Sequence, residues 1–418
     1  MGIPFLYRFF YLALQFLASL VLANFLHPSA FGTFSLLLLN ASLVSLMTGL
    51  GVEGILMHNL TNKKWELAEA HTFLWIALGL QVFLFGLLQG ASFYFIDRTL
   101  LSHSTADYLL PECAYFLGLV LLDKFTALLY PLQLAKAANR IQFLCAGCFL
   151  AVLWFIGKNK GISLKTGFQL FSLQTLAQGF LLILLFQFRV KKPLWTYPQL
   201  TRLLTAIRLS LLVMGANIIQ LLAYRIDFWM LNYYHSTSKV GIFAQANKLA
   251  NLLWIVPNIL AMLLMPRFRS LGSCQLKLVY KALWWFSGAT TLGAILLAIV
   301  VFYAILTPDY RSGLDAFYLM LPGYFFWAMV LYYAAYASWK GHFVRNLLGS
   351  ALCLLLILGA DLLLIPRYSI RGAALANTIA YIATYLFYTQ KQGKDLKVKG
   401  LFSFRKKEWE ELKILVRG

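Results

Sequence analysis

The sequence predicts an all-α polytopic membrane protein, with about 12 transmembrane helices in two six-helix lobes around a central cavity. Three observations support this prediction. Of the 418 residues, 61% are hydrophobic and only 12% are charged, and the mean hydropathy is +0.73. Most of the apolar runs reach the roughly 20 residues that a helix needs to cross a bilayer. The runs lack the alternating pattern of barrel strands, and lipid admits only helices or closed barrels.

The predicted spans follow one another with short connections. They are 5–26, 31–57, 71–96, 108–134, 141–156, 168–188, 203–233, 240–265, 283–306, 316–336, 347–365 and 373–388. The widest polar break near the middle contains Pro193 and Pro198 and separates six spans from six. The predicted domains are an N-terminal lobe (1–190), a cytoplasmic linker (191–202), a C-terminal lobe (203–390) and a basic cytoplasmic tail (391–418).

Basic residues predict the orientation in the membrane. The chain has 36 Lys and Arg, 15 Asp and Glu, and a net charge of +21. Most of the basic residues lie in the amino terminus, the even-numbered connections and the tail, and such an excess marks the cytoplasmic side. Both termini are therefore predicted to be cytoplasmic, with the basic segments attracted to anionic lipid headgroups. We expect the lipid bilayer, and no nucleic acid, as a partner.

The five cysteines do not predict a metal site or a redox centre. Cys145 and Cys148 form a C-x-x-C motif inside an apolar run, where zinc and redox partners do not easily reach them. We interpret both as small packing residues. The sequence predicts no bound metal, no cofactor and no catalytic residue.

Two local similarities predict that the lobes are duplicates. Residues 26–34 (LHPSAFGTF) resemble 234–243 (YHSTSKVGIF), and 135–137 (AKA) resemble 339–341 (WKG). Each segment occupies the same place in its half. Transporters built from repeated bundles show such weak internal symmetry, with the binding site between the repeats and alternating access by rocking.

Charged residues within the spans mark candidate functional positions, because a charge near the bilayer centre costs about 2.5–3.5 kcal/mol on insertion scales. The charged residues are Glu53, Asp123, Lys124, Arg225, Asp227, Lys248 and Asp361. Each requires a partner, a cavity or a place near an interface. Asp361 precedes Pro366 and Arg367 and is expected near the far end of its span, at the interface.

Polar residues form stripes on three spans at helical spacing. The seventh span has Asn217, Gln220, Tyr224 and Asp227 on one face, with Arg225 on its flank. The eighth has Asn247, Asn251, Trp254 and Asn258, bordered by Lys248, and the first has Arg8, Gln15 and Ser19. Hydrogen bonding between helices explains any single residue of this kind. For the set, we predict that the stripes line a polar cavity.

The basic members of this set predict an anionic ligand such as a diphosphate. The predicted diphosphate-binding residues are Arg225, Lys248, Lys124 and Arg8. The acidic members, Asp227, Asp123 and Glu53, have two interpretations. They neutralise neighbouring cations as buried ion pairs, or one of them takes up a coupling ion, H+ or Na+, during transport.

Seven segments together resemble a known family. They are 31–32 (FG), 50–53 (LGVE), 224–227 (YRID), 240–243 (VGIF), 255–258 (IVPN), 265–267 (MPR) and 364–374 (LIPRYSIRGAA). In order and spacing they resemble the polysaccharide transporter (O-antigen flippase) family of the multidrug/oligosaccharidyl-lipid/polysaccharide exporter superfamily. The resemblance extends over nearly the whole chain.

The resemblance implies a bacterial inner-membrane flippase. Such a protein moves a polyprenyl-diphosphate-linked oligosaccharide from the cytoplasmic to the periplasmic leaflet, through a V-shaped cavity between two six-helix lobes, for surface polysaccharide biosynthesis. Family members have cationic cavity linings, which Arg225 and Lys248 match. A polysaccharide polymerase or glycosyltransferases are further expected partners.

Two other classes of function stay open at this point. A multidrug-type, cation-coupled antiporter would depend strictly on an acidic residue, because its cargo is cationic. A membrane glycosyltransferase or polymerase would need an acid or base on a sizeable outer loop. The longest predicted outer connection is only 97–107, which disfavours the enzyme.

Overall fold

The computed structural model describes residues 2–61, 64–101, 106–190, 196, 200–264, 272–340 and 342–396. Within these ranges the chain is helical, with no β-strand. The first helices are α1 (Gly2–Phe25), α2 (Pro28–Gly49), α3 (Val52–Thr61), α4 (Leu67–Ile96), α5 (Leu109–Leu129), α6 (Ala135–Lys160) and α7 (Leu164–Arg189). The others are α8 (Leu200–Tyr234), α9 (Thr237–Leu264), α10 (Ser273–Val300), α11 (Gly313–Trp339), α12 (Phe343–Tyr368) and α13 (Ile370–Leu396). The predicted all-α fold class is confirmed.

Each predicted span corresponds to one long helix, with one exception. The span predicted over 31–57 is divided into α2 and α3 by Leu50 and Gly51, which both adopt a left-handed conformation, with φ of 54° and 64°. A left-handed residue ends an α-helix, and Gly adopts this conformation without steric cost. The prediction of one continuous helix over 31–57 was therefore wrong.

Eight helices in the described part of the chain are long and apolar enough to cross a bilayer. Of the long helices outside this set, α5, α8 and α9 carry the intramembrane residues Lys124, Arg225, Asp227 and Lys248. Their charges lower the mean hydropathy of otherwise apolar helices. The protein is a multi-pass membrane protein, and about 12 spans agree with its long helices.

The chain divides into two compact units, Met1–Leu221 (unit 1) and Leu222–Gly418 (unit 2). In unit 1, α5 packs against α3, α4 and α7. In unit 2, α11 packs in the same way against α9, α10 and α13. This repeated packing is what a duplicated architecture requires. Most of the predicted linker and of the tail lies outside the described residues, and the predicted domain limits stay predictions.

Glycines allow close helix contacts at equivalent places in the two units. A Cβ on Gly118 of α5 would lie 2.5 Å from the backbone N of Leu176 on α7. A Cβ on Gly323 of α11 would lie 2.5 Å from Cα of Thr378 on α13. Both crossings put backbone against backbone, as small residues do in membrane helix pairs.

Replacement of Gly323 by valine is expected to destabilise unit 2, because the new side chain must push α11 away from α13. Overpacking of this kind costs about 1–3 kcal/mol or more. The measurement is the apparent melting temperature of the purified protein in detergent. The control is Gly86→Val on α4, where a Cβ meets no atom within 4 Å. Equal melting temperatures for the two variants would contradict the assigned close contact.

Candidate functional site

A hydrogen-bonded network in unit 2 joins three helices. Arg225 of α8 donates from Nη1 to Oδ1 of Asn247 on α9, over 2.5 Å. Asn251, one turn further along α9, donates to the same oxygen over 3.0 Å. Asn247 in turn donates from Nδ2 to the hydroxyl of Tyr324 on α11, over 2.9 Å. Asn247 and Tyr324 are buried, so the network fixes the orientation of Arg225.

Two cations lie together at this network. Lys248 follows Asn247 on α9 and is close enough to Arg225 for their charges to act on each other. Both side chains are half-buried. The Arg225 guanidinium also lies over the Phe228 ring, 5.3 Å from its centroid. A guanidinium carries five N–H groups, so the bond to Asn247 leaves donors for an anion.

A buried pair of carboxylates lies in the same unit. Asp227 of α8 is 1% exposed, and its Oδ2 accepts a hydrogen bond from Asn377 of α13 over 2.8 Å. Asp361 of α12 is fully buried and acts electrostatically on Asp227. Within the described residues, Oδ1 of Asp227 and both carboxylate oxygens of Asp361 have no hydrogen-bond partner. Each buried carboxylate therefore adds to the cost of a negative charge on the other.

The expectation that Asp361 reaches the interface was wrong. The helix that carries it continues to Tyr368, about two turns beyond Asp361. Pro366 lies in the last turn of this helix, and the helix continues past it to Tyr368. Asn377 was not predicted as a site residue. A single Asn in the apolar last span was the only signal for it in the sequence.

Aromatic rings pack beside the network of unit 2. Trp254 stacks on Tyr324 with a centroid distance of 4.3 Å, and its indole N–H donates to the Tyr324 carbonyl. Tyr224 accepts a hydrogen bond from the indole of Trp327 over 3.2 Å. Trp254, Tyr324 and Trp327 are buried, so they support the network rather than offer an open stacking face. Of the other predicted lining residues, Gln220 is half-buried and Asn258 is exposed.

A second group of charges lies in unit 1. Lys124 of α5 is fully buried and donates to Glu53 of α3 over 2.8 Å, while the Glu53 side chain is 32% exposed. Arg8 of α1 donates to Oε1 of Gln142 on α6 over 2.8 Å and lies over the Tyr11 ring. The two predicted diphosphate ligands of this unit are therefore each held by a polar partner.

The remaining predicted residues of unit 1 lie near this group. Gln15 of α1 interacts with the hydroxyl of Tyr11. Asp123 of α5 is exposed and lies within electrostatic reach of Arg8, Glu53 and Lys124. Asp123, Glu53 and Asn217 line a cavity of about 350 Å³.

The charges thus form two balanced groups rather than one positive group. Unit 1 holds Arg8 and Lys124 with Glu53 and Asp123. Unit 2 holds Arg225 and Lys248 with Asp227 and Asp361. Opposite charges in unit 1, and the pair of Arg225 and Asp227 in unit 2, lower the cost of keeping these residues in the membrane. Lys248 lies beside the like charge of Arg225, so these two half-buried cations form a place that favours an anion.

No protein-family model matches the sequence, and a search of curated proteins finds no match. Solved structures do match. A lipid II flippase, MurJ, in an inward closed conformation has a TM-score of 0.75 at 15% identity, covering 98% of this chain and 95% of that one.

Multidrug transporters match as well. A MATE family transporter of the MOP superfamily in an inward-facing conformation has a TM-score of 0.69 at 14% identity, covering 93% of this chain and 96% of that one. An outward-facing MATE transporter has a TM-score of 0.62 at 14% identity, with 95% of each chain covered. The chain therefore has the fold of the MOP superfamily transporters, as the resemblance predicted.

Proposed function

We propose that the protein is a flippase for a polyprenyl-diphosphate-linked oligosaccharide. It moves this cargo from the cytoplasmic to the periplasmic leaflet of a bacterial inner membrane by alternating access, with both termini in the cytoplasm, and it catalyses no covalent step. The main support is the fold shared with a lipid II flippase over 98% of the chain. Glycosyltransferases that build the cargo and a polymerase that consumes it are the expected partners.

The cationic pair of unit 2 is the proposed diphosphate site. Transfer of a diphosphate into hydrocarbon without compensation is prohibitive, because its charges lose their hydration. Arg225 supplies a planar fork of N–H donors that matches phosphate oxygens, and Lys248 supplies a second positive charge. Asn247 holds the guanidinium before the cargo arrives, and Asn251 and Tyr324 hold Asn247 in turn, which reduces the entropy lost on binding.

The proposed roles of Arg8 and Lys124 are different. Lys124 is fully buried against Glu53, and Arg8 is bonded to Gln142. Binding of a diphosphate by these residues would first require those contacts to break. We therefore assign them to charge balance and helix packing in unit 1, and assign the diphosphate to Arg225 and Lys248.

The buried carboxylates of unit 2 are the proposed site of a coupling ion, H+ or Na+. Asp227 and Asp361 are both buried and act electrostatically on each other, so a cation bound beside them would lower the cost of keeping both charged. Outward movement of an anionic cargo also gains about 2.3 kcal/mol per charge per 100 mV from a negative-inside potential. The membrane potential therefore already favours outward movement of the cargo, and ion binding would add to this driving force.

Asp361→Asn is expected to remove the dependence of transport on the coupling ion, because a neutral amide leaves Asp227 alone and abolishes the shared site. The measurement is cargo translocation in vesicles with an imposed gradient of H+ or Na+. The control is Asp315→Asn, which affects an exposed ion pair with Arg371. Unchanged gradient dependence in the Asp361 variant, at normal protein level, would rule out this ion site.

A multidrug antiporter is the second candidate function. The MATE transporters with the same fold and the acidic pair of unit 2 favour it. The two candidates differ in which charge is essential. A transporter that tolerates Asp227→Asn but requires Arg225 is not a cation antiporter, whereas the opposite result would exclude the flippase.

The cellular test is deletion of the gene, followed by chemical analysis of the lipid carriers that accumulate. The flippase predicts accumulation of a polyprenyl-diphosphate oligosaccharide on the cytoplasmic side and loss of surface glycan. An unchanged lipid profile together with greater sensitivity to cationic drugs would support the antiporter instead.

A further inference from the structure

We propose that the turn between α6 and α7 binds the phosphate headgroup of an anionic phospholipid at the periplasmic surface of the membrane. This segment, residues 158–165, carries Lys158, Lys160 and Lys165, and we call it the lysine turn. It lies wholly within unit 1. The site is independent of the proposed cargo, but its place in the outer leaflet follows from the predicted orientation of the chain.

The lysine turn has an excess of positive charge. The chain contains no Asp or Glu between Asp123 and Asp227. Among the described residues, the acid that pairs with the turn is Asp107, whose carboxylate lies 3.7 Å from the Lys165 ammonium. The side chains of this pair are 72% and 43% exposed, so water weakens their attraction. The charges of the other two lysines are not balanced by an acid of the described chain.

The predicted orientation of the chain does not explain these lysines. The turn connects the fifth and the sixth predicted spans, so it is periplasmic when both termini are cytoplasmic. Lys and Arg are normally concentrated in the cytoplasmic connections. A cluster of lysines on the opposite side therefore requires another reason.

The helix dipoles explain only part of the cluster. Lys158 and Lys160 lie in the last turn of α6, where a cation stabilises the helix. Gly161, with φ of 69°, then ends α6. Lys165 lies in the first turn of α7, which contains no acidic residue and where a cation is unfavourable. An anion bound beside this turn would relieve the repulsion between Lys165 and the positive end of α7.

Exposed aromatic rings indicate that the anion is a lipid. Trp154, one turn before Lys158 on α6, is 53% exposed, and Phe155 is 69% exposed. The Lys158 ammonium lies 5.5 Å from the centroid of the Trp154 ring. Trp is enriched where a membrane meets water, and lysines near helix ends extend towards the headgroups. Apolar rings beside several cations match a phospholipid, which has acyl chains below an anionic headgroup.

The test uses the complete purified protein in detergent micelles and a phosphatidylglycerol probe with a photoreactive diazirine in one acyl chain. A phosphatidylcholine probe with the same chains carries no net charge and serves as the comparison. The readout is the probe concentration that gives half-maximal labelling of residues 154–165, located by mass spectrometry. Each lysine should add about fivefold to the affinity for an anionic headgroup, so phosphatidylglycerol should label this segment at roughly tenfold lower concentration or less.

Replacement of Lys158 and Lys160 by glutamine should remove most of this preference, whereas replacement of both by arginine should keep it. The matched control is Lys136→Gln with Arg140→Gln, which removes two exposed cations at the opposite end of α6 and should leave the labelling of 154–165 unchanged. The melting temperature of each variant reports its folding. If the glutamine variant does not fold, salt at about 1 M should remove the preference of the wild-type protein by screening.

Equal labelling of the segment by the two probes would overturn the proposal. So would an undiminished preference in a folded glutamine variant. Competition separates a lipid from a free anion, because unlabelled phosphatidylglycerol should displace the probe. Displacement by inorganic phosphate, or by a soluble acidic peptide, without displacement by phosphatidylglycerol would also overturn the assignment to a lipid.

Discussion

Arg225→Ala is expected to lower the rate of diphosphate-linked cargo translocation by about 100-fold. Each charge-assisted hydrogen bond contributes roughly 1.5–3 kcal/mol, and a guanidinium makes two such bonds to a phosphate. Arg225→Lys keeps the charge but loses the planar fork, and we expect a loss of about tenfold. The measurement is translocation of a fluorescent polyprenyl-diphosphate sugar in reconstituted vesicles.

The control for this prediction is Arg371→Ala. Arg371 is exposed in unit 2 and pairs with Asp315 at the protein surface. Surface pairs contribute little, so transport and melting temperature should stay close to the wild-type values. An Arg225→Ala protein that folds normally and transports at the wild-type rate would remove the central residue from the proposed site.

Glu53→Gln is expected to destabilise the protein by about 3–5 kcal/mol, because it leaves the fully buried Lys124 without its acidic partner. Lys124→Met should cost less, since the remaining Glu53 side chain is 32% exposed and can be hydrated. The double variant should recover most of the loss. Chemical unfolding of all four proteins in the same detergent gives the coupling energy of the pair.

Additive effects in this cycle would contradict the pairing. The result would also bear on the cavity of unit 1, because Lys124 is the residue that neutralises Glu53 there. A fifth protein, Glu69→Gln, serves as the control. Glu69 is half-buried and caps the start of α4, so its loss should cost only about 1 kcal/mol.

The helices could be predicted from the sequence because membrane crossing requires long apolar runs, and these runs can be recognised in a single sequence. The break at Leu50 and Gly51 was missed. The apolar runs on both sides favoured one continuous span, and the glycines at 49, 51 and 54, which mark the place of the break, hardly change the hydropathy. The predicted helix ends also differ from the observed ones by several residues. Polar residues such as Lys158 and Lys160 continue α6 beyond its apolar part.

Several residues of the hydrogen-bonded network in unit 2 could be named from the sequence, but their pairing could not be predicted. Helical spacing placed Asn247 and Asn251 on one face, and Asn251 does donate a hydrogen bond to Asn247. The bond of Asn247 to Tyr324 and that of Asp227 to Asn377 join helices distant in sequence. The spacing and charge of residues along one helix do not show which residues of a distant helix they will contact. For the same reason, the sequence named Glu53 as a possible partner of a buried cation but could not show that this cation is Lys124.

The most direct test of the proposed flippase function compares two cargoes in the same vesicles. One is a fluorescent polyprenyl-diphosphate sugar, scored by its accessibility to a reagent that does not cross the membrane. The other is ethidium, an organic cation, scored by its accumulation under an imposed ion gradient. The proposed flippase moves the diphosphate lipid, dependent on Arg225, and gives no driven transport of ethidium. Driven transport of ethidium without movement of the lipid would contradict it.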